Sequence, residues 1–95
     1  MRTDLSLVKY AIEQGAVVSV YDMEEWQVKR STDVKAIRAA IDSVDDCELV
    51  FRDAEGEQIA WAYIVSYGNS PDEIVSDFQL PKTWEAEWWE PQFTN

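Results

Sequence analysis

Histidine is absent from this chain, and cysteine occurs once. The first absence removes the commonest general base, along with Ser–His and Cys–His pairs. Together they deny zinc a usual ligand set, because one thiolate without imidazoles does not complete a tetrahedral site. Cys47 has no partner for an internal disulfide, which fits a reducing cytoplasm. It alternates with Leu49 and Phe51 and reads as a small apolar residue inside a strand. Glycine is also scarce, and the 3 present form no phosphate-cradling loop. "DAEGE" at 53–57 lacks the ligand spacing of a calcium loop and reads as a hairpin turn. No cofactor or metal is expected. No apolar run approaches the ~18 residues of a membrane span. "MRTDLSLVKYAIEQG" carries acids and no small-residue cleavage site, so it does not read as a signal peptide.

Basic residues are the next scarcity. Lys and Arg number 8 against 19 Asp and Glu, a formal charge of −11. Phosphate backbones and anionic membranes repel such a chain, so neither nucleic acid nor a membrane is an expected direct partner. A basic or nucleic-acid-binding protein is, unless the charge serves only solubility. Residues 1–38 hold six acids and six bases, whereas residues 39–95 hold thirteen acids and two bases. The whole excess lies in the second part, and such asymmetry can mark a functional face.

Aromatic residues are plentiful at 13%, and 46% of the chain is hydrophobic. That composition supports one folded domain over 1–95. Within it, "TDLSLVKYAIEQ" at 3–14 aligns without gaps on "TDVKAIRAAIDS" at 32–43. Both segments carry apolar residues at helical spacing: Leu5, Val8 and Ile12, then Val34, Ile37 and Ile41. Thr or Asp supplies an N-cap oxygen to each, and Gly15 suits the first helix's stop. β-branched and alternating segments follow each helix: "AVVSVYD" and "EWQVKRS", then "CELVFRD" and "EQIAWAYIVSY". Gly56 fits the second hairpin. The expected fold is α+β. Two αββ units, 3–30 and 32–67, form a four-stranded antiparallel sheet with both helices on one face. The same units could pair between chains, so a homodimer is compatible with the pattern.

The last strand is apolar on both sides. Ile59, Trp61, Tyr63, Val65 and Tyr67 alternate with Ala60, Ala62 and Ile64, which predicts a cover on the second face or a binding surface there. The acidic, Trp-rich segment 70–95 is the candidate cover. "SPDEIVSDFQL" predicts a helix capped by Ser70, with Pro71 first and Ile74 and Phe78 on one side. "TWEAEWWEPQF" predicts another short helix, capped by Thr83 and ended by Pro91. Burial is the favoured reading for Trp84 and Trp88. Trp89 and Phe93 are harder to bury in the same turn and are the aromatic partner-binding candidates.

Catalysis is disfavoured. A carboxylate pair such as Asp45–Asp46 or Asp53/Glu55 could serve glycosidase chemistry, but turn carboxylates are mostly solvated. The chain therefore reads as a non-enzymatic, protein-binding inhibitor. In its charge-based form it imitates DNA and blocks a nucleic-acid-binding enzyme or defence system. Acids three or four apart on a helix, or two apart on a strand, approximate successive phosphates. The candidate acidic surface is Asp42, Asp45, Asp46, Glu48, Asp53, Glu55, Glu57, Asp72, Glu73, Asp77, Glu85, Glu87 and Glu90. The alternative is a module that docks or self-associates through the carboxy-terminal aromatics, with the acids serving solubility.

"VYDMEEWQVKRSTD" and "LVFRDAEGEQIAWAYIV", in a short, acidic, histidine-free chain, resemble the small accessory proteins of phages and mobile elements. Some of that class block restriction, CRISPR or recombination enzymes. The resemblance is one of overall character. It implies an anti-defence inhibitor and transfers no site residues.

Overall fold

The computed structural model describes residues 2–93. The elements run α1 (Thr3–Glu13), β1 (Val17–Tyr21), β2 (Trp26–Ser31), α2 (Val34–Asp42), β3 (Asp46–Arg52) and β4 (Gln58–Val65). A single helical turn, α3 (Pro71–Ile74), leads straight into β5 (Val75–Gln79). The described chain closes with a continuous helical segment. It begins as α4 (Lys82–Trp84), widens to π geometry over Glu85–Trp89 and tightens to 3-10 geometry over Glu90–Phe93.

The fold is α+β with an antiparallel sheet, and the sheet has five strands rather than the four expected. Their order is β2-β1-β3-β4-β5, and every neighbouring pair is antiparallel. The extra strand comes from the stretch expected to be helical. Helix geometry stops after Ile74, and Val75 then pairs with Ile64 and Phe78 with Ala62. The i, i+4 spacing of Ile74 and Phe78 carries too little local preference to hold a helix of this length. Strand geometry instead satisfies the backbone groups along the edge of β4.

Capping departs from expectation in three places. Asp33 does cap α2, with its carboxylate accepting from the Lys35 and Ala36 amides at 3.1 and 3.4 Å. Thr3 and Asp4, which align with Thr32 and Asp33 in sequence, lie inside α1, and Arg2 occupies the N-cap. Asp4 is buried there, held by the Arg2 guanidinium at 2.8 Å and by the Leu5 amide at 2.9 Å. The Ser70 hydroxyl bonds the carboxylates of Asp72 and Glu73 in place of a backbone amide. Pro81, not Thr83, precedes α4. The expected left-handed glycines are present, with φ of +92° at Gly15 and +84° at Gly56.

The core lies on one side of the sheet. Leu5, Leu7, Val8 and Ala11 of α1 and Ile37, Ala40 and Ile41 of α2 pack with Val18, Val20, Cys47, Leu49 and Phe51. The closing helical segment fills the rest of the same layer. Trp84 meets Tyr10 and Phe51 edge-on at 5.7 and 5.8 Å, and the Trp88 indole donates to Ser6 Oγ at 2.9 Å. Both indoles are buried, and Ala60 and Ala62 belong to the same cluster. The small side chains of those alanines leave volume for rings of this size. The cover therefore completes the helix side of the sheet. Among the described residues no element lies over the opposite side.

Candidate interaction surface

The uncovered side follows from strand alternation. Ala60, Ala62 and Ile64 are buried under the helices, so Trp61, Tyr63 and Val65 face outward, each half-buried. Register then carries that face across the sheet. Tyr63 pairs with Glu48 on β3 and Asp77 on β5, Glu48 pairs with Tyr21, and Tyr21 with Trp26. One row thus reads Trp26, Tyr21, Glu48, Tyr63, Asp77 through all five strands. The next row holds Ser19, Val50, Trp61 and Gln79, closed by a bond from the Trp61 indole to Gln79 Oε1 at 3.2 Å. Aromatic faces and carboxylates alternate here, a pairing suited to receiving arginine and lysine side chains.

The Tyr63 hydroxyl donates to the Asp46 carboxylate at the start of β3. That bond holds the phenol proton and pushes its pKa up to about 12. Tyr21 and Trp26 lean together with ring centroids 4.9 Å apart. Beneath the row Asp22 closes the β1–β2 hairpin. It accepts from the Glu25 and Glu24 amides at 2.7 and 2.9 Å and from the Gln27 side chain, and the Glu25 amide bond leads the causes that hold its carboxyl below the usual range.

The thirteen acids read from sequence do not form one surface. Asp45 precedes β3 and Asp46 starts it, at the end of the sheet that also carries the β1–β2 hairpin acids Asp22, Glu24 and Glu25. Asp72 and Glu73, in the turn before β5, belong to that end too. Glu48 and Asp77 lie on the open face beside them. Asp53, Glu55 and Glu57 sit in the β3–β4 hairpin at the opposite end, where Asp53 is occupied by the Glu55 and Glu57 amides, each at 3.0 Å. Glu85, Glu87 and Glu90 ride on the closing helical segment in the other layer, with Glu87 accepting from Tyr10 at 3.4 Å. Asp42 is neutralised by Arg2 at 2.8 Å and by Arg38 at 3.5 Å. Ion pairs among the described residues involve only Asp42 and Asp4 of the acids, so the remaining carboxylates stand without a cation.

The aromatic candidates divide as well. Trp89 is half-buried, its ring 4.8 Å from those of both Phe78 and Phe93, while Phe93 is 54% exposed. The row of Trp26, Tyr21 and Tyr63 was missed in sequence as a candidate site. Its signal was the two-sided apolar pattern of β4, which predicts for the second face a cover from segment 70–95 or a binding role; Trp84 and Trp88 of that segment pack on the helix side instead. Cys47 points the other way, into the core, and burial pushes its thiol up to about 12. Among the described residues no group of three or more Asp, Glu, Cys or His is placed to hold a metal ion, and no helix is long and apolar enough to cross a membrane. Comparison with protein-family models, with curated proteins and with solved structures finds no match for this chain.

Proposed function

We propose that the protein binds and blocks a basic surface of a nucleic-acid-handling protein, and that it does so through the open sheet face. The observation that carries this reading is the row Trp26–Tyr21–Glu48–Tyr63–Asp77, where two carboxylates without cation partners alternate with aromatic rings on an uncovered sheet. An incoming guanidinium stacks on a ring and meets a neighbouring carboxylate, so one arginine gains from both contacts. The acidic end of the sheet steers the encounter. A nucleic-acid-binding surface is rich in those cations, and covering it competes with phosphate. The anti-defence role of comparable small accessory proteins is one setting for such a blocker. We read the two αββ units, 3–30 and 32–67, as the frame that carries this face.

Direct imitation of a DNA strand is the second reading, favoured by the number of carboxylates without a cation. The three separate acidic groups count against one continuous stripe. Glu48 and Asp77 stand two strands apart, or roughly 10 Å at the usual strand spacing, wider than successive phosphates.

Capture from nuclease-treated bacterial lysate with rising salt tests the proposal. The expected catch is a nucleic-acid-binding protein that is lost with Glu48→Lys and with Tyr63→Ala. It is retained when Glu85, Glu87 and Glu90 are all changed to Gln. The opposite pattern moves the site to the closing helical segment. A catch insensitive to both sets sinks the proposal. Steep elution at moderate salt favours strand imitation, whereas retention favours ring stacking.

A further inference from the structure

The proposed docking row ends at Trp26, and the corner of the open face beyond it is basic. Only 8 residues of the chain are Lys or Arg, yet three of them, Lys29, Arg30 and Arg52, line a single shallow depression with Trp26 and Ser19. Its volume is about 220 Å³. None of the three stands in an ion pair among the described residues. These cations would repel a basic partner at this corner and attract an anionic one.

The backbone is shaped to make this cluster. Val18 pairs with Ser31 and Val20 with Val28, so Lys29 and Arg30 together oppose the single residue Ser19. This β-bulge turns two successive side chains toward one face, where regular alternation would present only one. It also places Arg30 at φ +48°, one of two non-glycine residues with positive φ among those described. An arginine does not favour that region, and such outliers gather at binding sites. Ser19 Oγ accepts from the Arg30 amide at 2.8 Å and fixes the bulge. Arg52 comes from β3, its guanidinium steadied by the Gly56 carbonyl at 3.1 Å. Trp26 completes the wall. It is 39% exposed and braced by Tyr21, so part of its ring is open to stacking.

Two guanidinium groups and an ammonium recognise a phosphate, the guanidiniums offering forked donors and the ammonium a point charge. An exposed indole beside them recognises a planar ring. Together in one depression they suit a small ligand that carries both an anionic group and a planar ring. We propose that this corner binds a nucleoside monophosphate, with the base on Trp26 and the phosphate among Lys29, Arg30 and Arg52. Asp53 and Glu55 lie in the adjoining depression, which shares Arg30. They oppose the anion, although the Asp53 carboxylate is turned into its own hairpin amides. The bulge and Lys29 also blunt the β2 edge against strand addition, but edge protection needs neither Arg52 nor the aromatic wall.

The test titrates the intact chain with adenosine 5′-monophosphate, following Trp fluorescence and backbone amide shifts by NMR. Inorganic phosphate and adenosine are titrated in parallel. Saturable shifts at Ser19, Trp26, Arg30 and Arg52 are expected, with binding about tenfold weaker for either fragment alone. Arg30→Gly suits the φ of this position, so it retains the fold while binding weakens about tenfold; Lys29→Gln does the same. The proposal is overturned by an absence of shifts at millimolar nucleotide. It is equally overturned if phosphate or adenosine alone binds as well as the nucleotide. Unchanged binding by both folded variants overturns it too.

Discussion

The two sides of the sheet use the same residue types to opposite ends. On the helix side, Trp84 and Trp88 come from a stretch crowded with rings and acids, and both are buried. On the open side, Trp26, Trp61 and Tyr63 are scattered one at a time along strands, and they remain in contact with solvent. Crowding of aromatics in sequence therefore marks closure of the core in this protein. The surface aromatics became visible only when strand register set them side by side. Cys47 and Tyr63 repeat the contrast at the level of protons. Both are pushed up to about 12, the thiol chiefly by burial and the phenol chiefly by its bond to Asp46.

Breaking the helix side has the largest expected effect. Trp84→Ala should cost ~3–5 kcal/mol, a large part of the stability of a small domain, and thermal melts will measure it. Trp61→Ala on the open side should cost about 1 kcal/mol or less. Equal losses would mean that the second face is not open.

Alkaline titration sharpens the same contrast. Cys47 has a folded pKa above the unfolded value, so its contribution is fully present below about 9 and is lost as pH rises toward 12. Denaturant midpoints should fall across that window, and Cys47→Ala should flatten the fall. In the native state the thiol should resist a disulfide reagent at pH 8, reacting only on unfolding.

A smaller effect separates the two helices. Asp33→Ala removes the cap of α2 and should cost ~1 kcal/mol in chemical denaturation. Thr3→Ala, at the aligned position's neighbour in α1, removes no cap and should show no capping loss. The smallest readout is spectroscopic. Asp46→Asn should bring the Tyr63 phenol down from about 12 toward its ordinary value, followed by absorbance in the alkaline range, while Cys47 stays protected.

Much of this architecture was legible in sequence. The helices α1 and α2 announce themselves through Leu5, Val8, Ile37 and Ile41, and β1 to β4 through β-branched runs between turns. The burial of Trp84 and Trp88 was also readable, from the alanines of β4. What escaped depends on partners distant in the chain. Val75–Gln79 is a strand because β4 offers an edge to pair with, and nothing between Pro71 and Leu80 states that. Asp4 resembles Asp33 in its local sequence, yet Arg2 draws it inward in place of a cap. The acids were countable, but their division into separate groups depends on which strands adjoin. The cluster of Lys29, Arg30 and Arg52 depends on a bulge, which periodicity alone does not show.

The bond between Trp88 and Ser6 joins residues 82 positions apart, and Tyr10 meets Glu87 across 77. This has a consequence for synthesis on the ribosome. While residues 82–93 are still inside the exit tunnel, α1 lacks the indoles that cover its flank, and Ala60 and Ala62 face water. The nascent chain can form its hairpins early, but it cannot finish its core until these last rings emerge. Stalled or truncated products ending before Trp84 should therefore be protease-sensitive. Emergence of this segment becomes the step that commits the domain to its folded state.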